Sequence, residues 1–246
     1  MEGGIRRCMI KHFNQMEQLF DCMISQRLAS RKAHDYVRTN DMLDTLLNIS
    51  EANSEDMALF AAGTDTTSAT LEWAMAELLR DLEKLSKTQQ ELEQIIGKGK
   101  PVEEAEIARL PYLQAIIKET FRLHPAAPLL LPCKADSDVE ICGYVVPKGA
   151  QVFVNAWAIG RDPSIWDNPS SFMRERFLGL DDQIDVTGKN FELIPFGGGR
   201  RICPGLPLAM RILPLILGSL INSFDWKLED GFIPETLNME EKFGLT

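Results

Sequence analysis

Residues Phe196 to Gly205 read FGGGRRICPG. Gly197, Gly198 and Gly199 open backbone conformations closed to other residues and remove side-chain bulk. Arg200 and Arg201 follow and supply positive charge for a nearby anion. Cys203 then stands directly ahead of an apolar helical stretch, where the first amide N–H groups and the helix dipole stabilise negative charge on sulfur. A thiolate, arginines for carboxylates and glycines for the close approach of something flat together describe a seat for haem. Plainer readings stand beside it. A single cysteine is usually a small buried hydrophobe, and a glycine triplet is often only a flexible loop. A phosphate-binding loop needs the lysine and hydroxyl of G-K-[ST], which are absent here. A cysteine nucleophile needs a histidine partner, and His12, His34 and His124 stand in no telling context.

Composition narrows the choice. The chain has 246 residues, 45% hydrophobic and 25% charged, enough apolar material for one large domain or two small ones. Lys plus Arg is 26 against 36 Asp plus Glu, a net charge of −10. Without a basic tract there is no electrostatic footprint for nucleic acid. The five cysteines, Cys8, Cys22, Cys133, Cys142 and Cys203, are odd in number, scattered and without a C-x-x-C pair. That argues against a disulfide framework or zinc finger and for a reducing compartment. No apolar run is expected to approach the roughly 18 residues of a membrane span. The stretch MEGGIRRCMIKHF lacks the apolar run of a signal peptide.

Periodicity orders the rest. Apolar residues at helical spacing from Ile5 to Ala29 predict an amphipathic helix, followed by a polar loop over Ser30 to Asn40. MALFAAGTDTTSATLEWAMAELL is apolar nearly all round and predicts a buried helix. Leu82 to Ile96 reads as a surface helix stopped by Gly97. Pro111 opens a helix that His124-Pro125 breaks. Short β-type runs between Pro128 and Asn155 predict a small sheet. A mostly loop region covers Gly160 to Asn190, and a last helix covers Leu206 to Phe224.

Two polar groups interrupt these apolar helices. In Ala62-Gly63-Thr64-Asp65-Thr66-Thr67 the polar residues must hydrogen-bond locally or serve a purpose. Ala62 and Thr66 share a face, Gly63 leaves room at the helix surface, and a hydroxyl can open the backbone ladder. The plain reading is a threonine-rich turn bonding back on itself. Glu119 and Arg122 stand close enough on one helix to pair. Such pairs are commonly solvated and contribute little, but this helix also carries Leu113, Ile116, Ile117 and Phe121.

The decamer resembles the haem-binding signature F-x-x-G-x-R-x-C-x-G of the cytochrome P-450 superfamily, with Phe196, Gly199, Arg201, Cys203 and Gly205 at its fixed positions. The segment around Thr66 is similar to the family's oxygen-activation motif, and KETFRLHP resembles its E-x-x-R helix. The loop FMRERF resembles the one that adds a further arginine, here Arg176. These motifs stand in family order over roughly Asp41 to Thr246. The resemblance implies a mainly α fold with a small β-sheet, the carboxy-terminal half of the cytochrome P-450 fold, as one partial domain over 1–246. Its parts would be a long oxygen-activation helix about 55–80, the E-x-x-R helix about 111–123, a small sheet about 128–155, the cysteine loop 196–205 and the last helix about 206–224. It implies haem b, with Cys203 as the iron ligand and Phe196, Gly197, Arg201, Gly205 and Ala62 about the cofactor. Asp65 and Thr66 would pass protons during oxygen activation. Glu119, Arg122 and Arg176 would support the loop beneath the haem without doing chemistry. Ala126, Leu129 and Leu130 would face the substrate.

The function so implied is a haem-thiolate monooxygenase. It puts one oxygen of dioxygen into a small apolar substrate, with electrons from NADPH through an NADPH-cytochrome reductase. The stretches NDMLDTLLNIS, VPKGAQVFVNAWAIGRDP and CPGLPLAMR look like plant microsomal members, in particular the group that contains geraniol 8-hydroxylase, whose substrates are terpenoids. The full-length family sits on the cytosolic face of the endoplasmic reticulum membrane through an amino-terminal anchor, and the chain as written shows none. The alternative is a truncated, catalytically incompetent fragment that retains at most haem binding. Two departures stand out. Cys133 occupies the place of an arginine that pairs with a haem propionate, which predicts weaker haem retention. Arg174 replaces the proline of Pro-Glu-Arg-Phe, which predicts a loosened turn.

Overall fold

Helical periodicity in the sequence becomes helix almost wherever it occurs. In the computed structural model, residues 22–32, 47–48, 54–179, 184–229 and 232–240 are described, with 54–61 by backbone alone. Met1–Ala62 and Gly63–Thr246 form two compact units. In the first, helix α1 covers 22–31 and leaves Met23 and Leu28 exposed. The rest of the expected Ile5 to Ala29 helix, and most of the expected loop after it, lie outside the described residues.

Helix α2, Ser54–Arg80, runs unbroken through the threonine-rich segment. Its later turns bury Thr70, Ala74, Met75, Glu77 and Leu78. Helix α3, Leu82–Ile95, begins where the Asp81 carboxylate accepts the Lys84 N–H at 3.3 Å. It stops as expected at Gly97, whose φ of +100° is open to glycine and whose N–H bonds the Leu92 carbonyl at 3.2 Å. A short 3₁₀ turn, Glu104–Arg109, leads into α4, Pro111–Leu123. The N-terminus of α4 is capped from α3: Glu91 Oε1 accepts the Tyr112 N–H at 2.8 Å and Oε2 the Leu113 N–H at 3.0 Å. Sequence periodicity gives no sign of this cap, because its partners are 21 and 22 residues apart.

The core is the seam between α3, α4 and α6, Leu206–Ser223. Leu92, Leu113, Ile116 and Leu217 are fully buried there, joined in the same core by Leu78 of α2 and by Leu110, each contributing about 1.5–3 kcal/mol. Gly218 lets α6 approach closely, since a methyl group in its place would stand 3.1 Å from Leu113 Cδ2. Leu206–Ser223 also corrects the expectation that no apolar stretch reaches membrane-spanning length, for it passes that test by length and composition. Its Leu213, Pro214, Leu217, Gly218 and Ile221 are nevertheless buried against the other helices.

Where one small sheet is expected, two separate antiparallel ladders form. One pairs β1, Cys133–Lys134, with β4, Gln151–Val152; the other pairs β2, Val139–Ile141, with β3, Tyr144–Val146. The strands are two or three residues long and mostly exposed, and the apolar face that Val139, Ile141, Tyr144 and Val146 share on the β2–β3 ladder lies largely open. The short helix α5, Ala156–Ile159, follows, its N-terminus capped by Asn155.

Candidate functional site

The cysteine turn is built by backbone bonds and glycine conformations together. The Gly197 N–H bonds the Ile194 carbonyl at 3.0 Å, and the Cys203 N–H closes the loop on the Phe196 carbonyl at 2.9 Å. Gly197 and Gly199 take φ of +72° and +66°, which only glycine adopts without strain. Around Gly199 no atom stands within 4 Å of where a Cβ would lie. Cys203 is left exposed, two residues past a 3₁₀ turn over Gly199–Arg201 and just before α6 begins. The thiol is thus open to solvent, and a Cβ on Gly205 would stand 3.6 Å from its sulfur.

Three contacts brace this turn. Phe196 packs edge-on against Phe121 of α4, ring centroids 5.2 Å apart. On another side Gly188 presses so closely that a Cβ there would sit 2.9 Å from the Gly197 carbonyl oxygen. Leu130, held at a left-handed φ of +51°, brings its Cδ1 to 3.9 Å from the position of a Cβ on Gly197. Ala126 is half-buried in the same connection, and Leu129 is exposed. Arg201 Nη1 lies 3.7 Å from the Cys133 sulfur, so the residue that replaces the expected arginine stands beside the remaining one.

Beneath the turn, the structure brings Glu119, Arg122 and Arg176 together. Arg122 Nε and Nη2 donate to the two Glu119 carboxylate oxygens at 2.8 Å each, and both side chains are 0% exposed. Arg176 Nε stands 3.4 Å from Glu119 Oε1. The remaining donors of Arg122 reach the carbonyls of Gly160, Pro169 and Ser171, and the Met173 N–H bonds Glu119 Oε1. Trp166 lies under both guanidinium groups, at 5.4 and 5.9 Å. A buried charge pair is tolerable only when its hydrogen bonds are satisfied in this way.

Gly160 is a member of this cluster that the sequence did not advertise. A methyl group there would overlap the Arg122 carbonyl oxygen. The loosened turn expected from Arg174 is not seen, because Arg174–Phe177 closes as a 3₁₀ turn. Arg174 is itself buried, with its guanidinium 4.4 Å over the Tyr112 ring and Nη1 2.7 Å from Glu175. Burial pushes the Tyr112 hydroxyl up to about 12.

Asp65 and Thr66 lie on α2, the former exposed and the latter half-buried. Gly63 has open space around it, and the Thr67 and Thr70 hydroxyls donate back to the Gly63 and Thr66 carbonyls at 2.6 and 2.8 Å. The plain reading of this segment, a threonine turn bonding back on itself, is therefore realised. Ala62 belongs to the first unit. His124, passed over in the sequence, is buried on Glu77 and Trp73. The available signal was the i,i+4 spacing of an indole and a carboxylate on an apolar helix.

Among the described residues no group of three or more His, Cys, Asp or Glu gathers to hold a bare metal ion. Cys203 offers a single sulfur in a cradle cleared by glycines, with Arg201 exposed nearby. That fits a flat group bringing its own in-plane nitrogens. A profile of the cytochrome P-450 family matches residues 2–246.

The chain belongs to the cytochrome P-450 family.

Among curated relatives it is 55% identical to geraniol 8-hydroxylase of Swertia mussotii and 53% identical to that of Catharanthus roseus, over 99% of this chain and 50% of each relative. It is 54% identical to drimenol monooxygenase of Persicaria hydropiper over the same shares. A solved zebrafish cytochrome P-450 with progesterone superposes with a TM-score of 0.68 at 31% identity, covering 88% of this chain and 47% of that one. The chain thus spans about half the length of the cytochrome P-450 relatives it matches, and its helices with minor strands form part of that fold.

Proposed function

We propose that this chain carries the haem-thiolate part of a monooxygenase that hydroxylates a small apolar plant metabolite. The single observation that supports this most is the exposed Cys203 sulfur, held in a glycine-opened turn ahead of α6 and braced by Phe121. In this reading Cys203 holds the iron, Arg201 takes a haem carboxylate, and Phe196, Gly197 and Gly205 shape the seat. Haem iron, once bound, supplies the activation of dioxygen. Thr66 holds a proton at its hydroxyl, and exposed Asp65 replenishes it from solvent. Ala126, Leu129 and Leu130 offer apolar surface that orients substrate and excludes water. Geraniol and drimenol, in the relatives' names, are terpenoid alcohols, which makes a terpenoid the proposed substrate class. Electrons would come from NADPH through a partner reductase. A second reading, haem binding without turnover, is favoured by the half-length span alone.

The test is spectral. Haem titrated into the chain should give a reduced carbon monoxide complex with the red-shifted Soret band of a thiolate ligand, and Cys203→Ser should abolish it. A band that survives the substitution would remove Cys203 from this role. Product from geraniol, with a plant reductase and NADPH, separates the two readings.

A further inference from the structure

Near its end, α2 meets the residue that closes α4. Glu77 Oε1 and His124 Nε2 stand 2.8 Å apart, each side chain 6% exposed. The Trp73 indole stacks on the imidazole, ring centroids 3.9 Å apart and planes within 4°. A buried carboxylate–imidazole hydrogen bond is directional and costly to break, so it fixes a geometry as well as a contact.

That geometry extends in two directions. Thr66, Thr70, Trp73 and Glu77 follow one another by four, three and four residues. At about 100° per residue they fall within about 60° on one stripe of α2. The Thr70 hydroxyl bonds the Thr66 carbonyl at 2.8 Å on that same stripe. On the other side of the junction, Phe121 of α4 packs on Phe196 of the cysteine turn at 5.2 Å. Packed side chains therefore connect the turn holding Cys203, through Phe196, Phe121 and α4, to His124, Glu77 and the stripe that carries Thr66.

We infer that Glu77 and His124 are positioning residues: their hydrogen bond sets the height and rotation of Thr66 relative to the Cys203 turn. This rests on the roles proposed above for Thr66 and Cys203. Neither Glu77 nor His124 touches the reacting atoms in this assignment. They act through α2, at a distance of about 16 Å along its axis from Glu77 to Thr66.

Hydrogen exchange on the haem-loaded chain tests it. His124→Phe keeps a ring for Trp73 and loses the hydrogen bond; Glu77→Gln and His124→Gln keep a partner for it. In His124→Phe the backbone amides of 63–72 should exchange about tenfold faster or more, while those of 206–223 stay as they were. With reductase and NADPH the share of electrons released as hydrogen peroxide should rise, and His124→Gln should restore both readouts towards the parent. A thiolate Soret band with unchanged exchange at 63–72 would overturn this inference alone. So would equal acceleration at 206–223, which marks a general structural role. Absence of the Soret band from the unmutated chain would overturn the haem reading and this inference with it.

Discussion

At the scale of single residues, what matters at this site is how little occupies it. Gly160 shows the opposite constraint, a position with no room at all: its missing side chain lets α5 lie on the Arg122 carbonyl, and its own carbonyl accepts from Arg122. Gly160→Ala is expected to cost about 1–3 kcal/mol through forced displacement, read as a lower urea midpoint at unchanged slope. Cys133 works in the other direction. An arginine there would place a second guanidinium beside Arg201, now 3.7 Å from the Cys133 sulfur. Without haem the two cations repel, and with a propionate between them each gains a charge-assisted bond of about 1.5–3 kcal/mol. Cys133→Arg should therefore slow haem transfer to an apoglobin scavenger. An unchanged transfer rate would show that this position does not reach the cofactor.

At the scale of elements, α4 is held at its first turn by Glu91 and at its last by Arg122, which donates to the Gly160, Pro169 and Ser171 carbonyls, and by His124 on Glu77. Glu119→Ala would leave two buried guanidinium groups facing each other without their carboxylate, a loss of about 3–5 kcal/mol. The measured consequence should be little soluble, haem-loaded protein. Glu91 adds a pH dependence. Burial pushes its carboxyl above the ordinary value of 4.5, against the lowering by the Tyr112 and Leu113 amides. The folded chain then keeps a proton that the unfolded chain has released. This group's contribution to stability is thus full below the ordinary glutamate range and is lost as pH rises through the raised value. Glu91→Gln should flatten the stability profile just above pH 4.5; denaturant midpoints measured across that window check it, and a parallel profile would contradict it.

At the scale of the whole molecule, the described surface carries much apolar material. Leu131 is 77% exposed, Tyr144 78%, Val145 70% and Phe191 74%. Apolar residues left open to solvent in this way enclose neither a cofactor nor a substrate, and enclosure is what holds substrate in a productive pose. The 246-residue chain used alone should therefore give much less product from a terpenoid alcohol than a full-length relative under the same reductase and NADPH. Comparable turnover would refute this.

Among the described residues the sequence by itself determined the long helices and their stops, and it determined the family. Apolar periodicity, Gly97, Pro111 and His124-Pro125 act over one or two turns, and the FGGGRRICPG turn carries its own chemistry within ten residues. The pairing of Glu119 with Arg122 was equally legible, since both lie on one helix. Only the tertiary structure decided the rest. The cap of α4 by Glu91, the grip of Glu77 and Trp73 on His124, the exclusion of any side chain at Gly160 and Gly188, and the burial of Arg174 on Tyr112 all join residues far apart in the chain. The division of the strands into two ladders likewise follows from how the connecting loops dock and not from strand propensity. Such contacts depend on how separate elements dock, and local propensity does not encode docking.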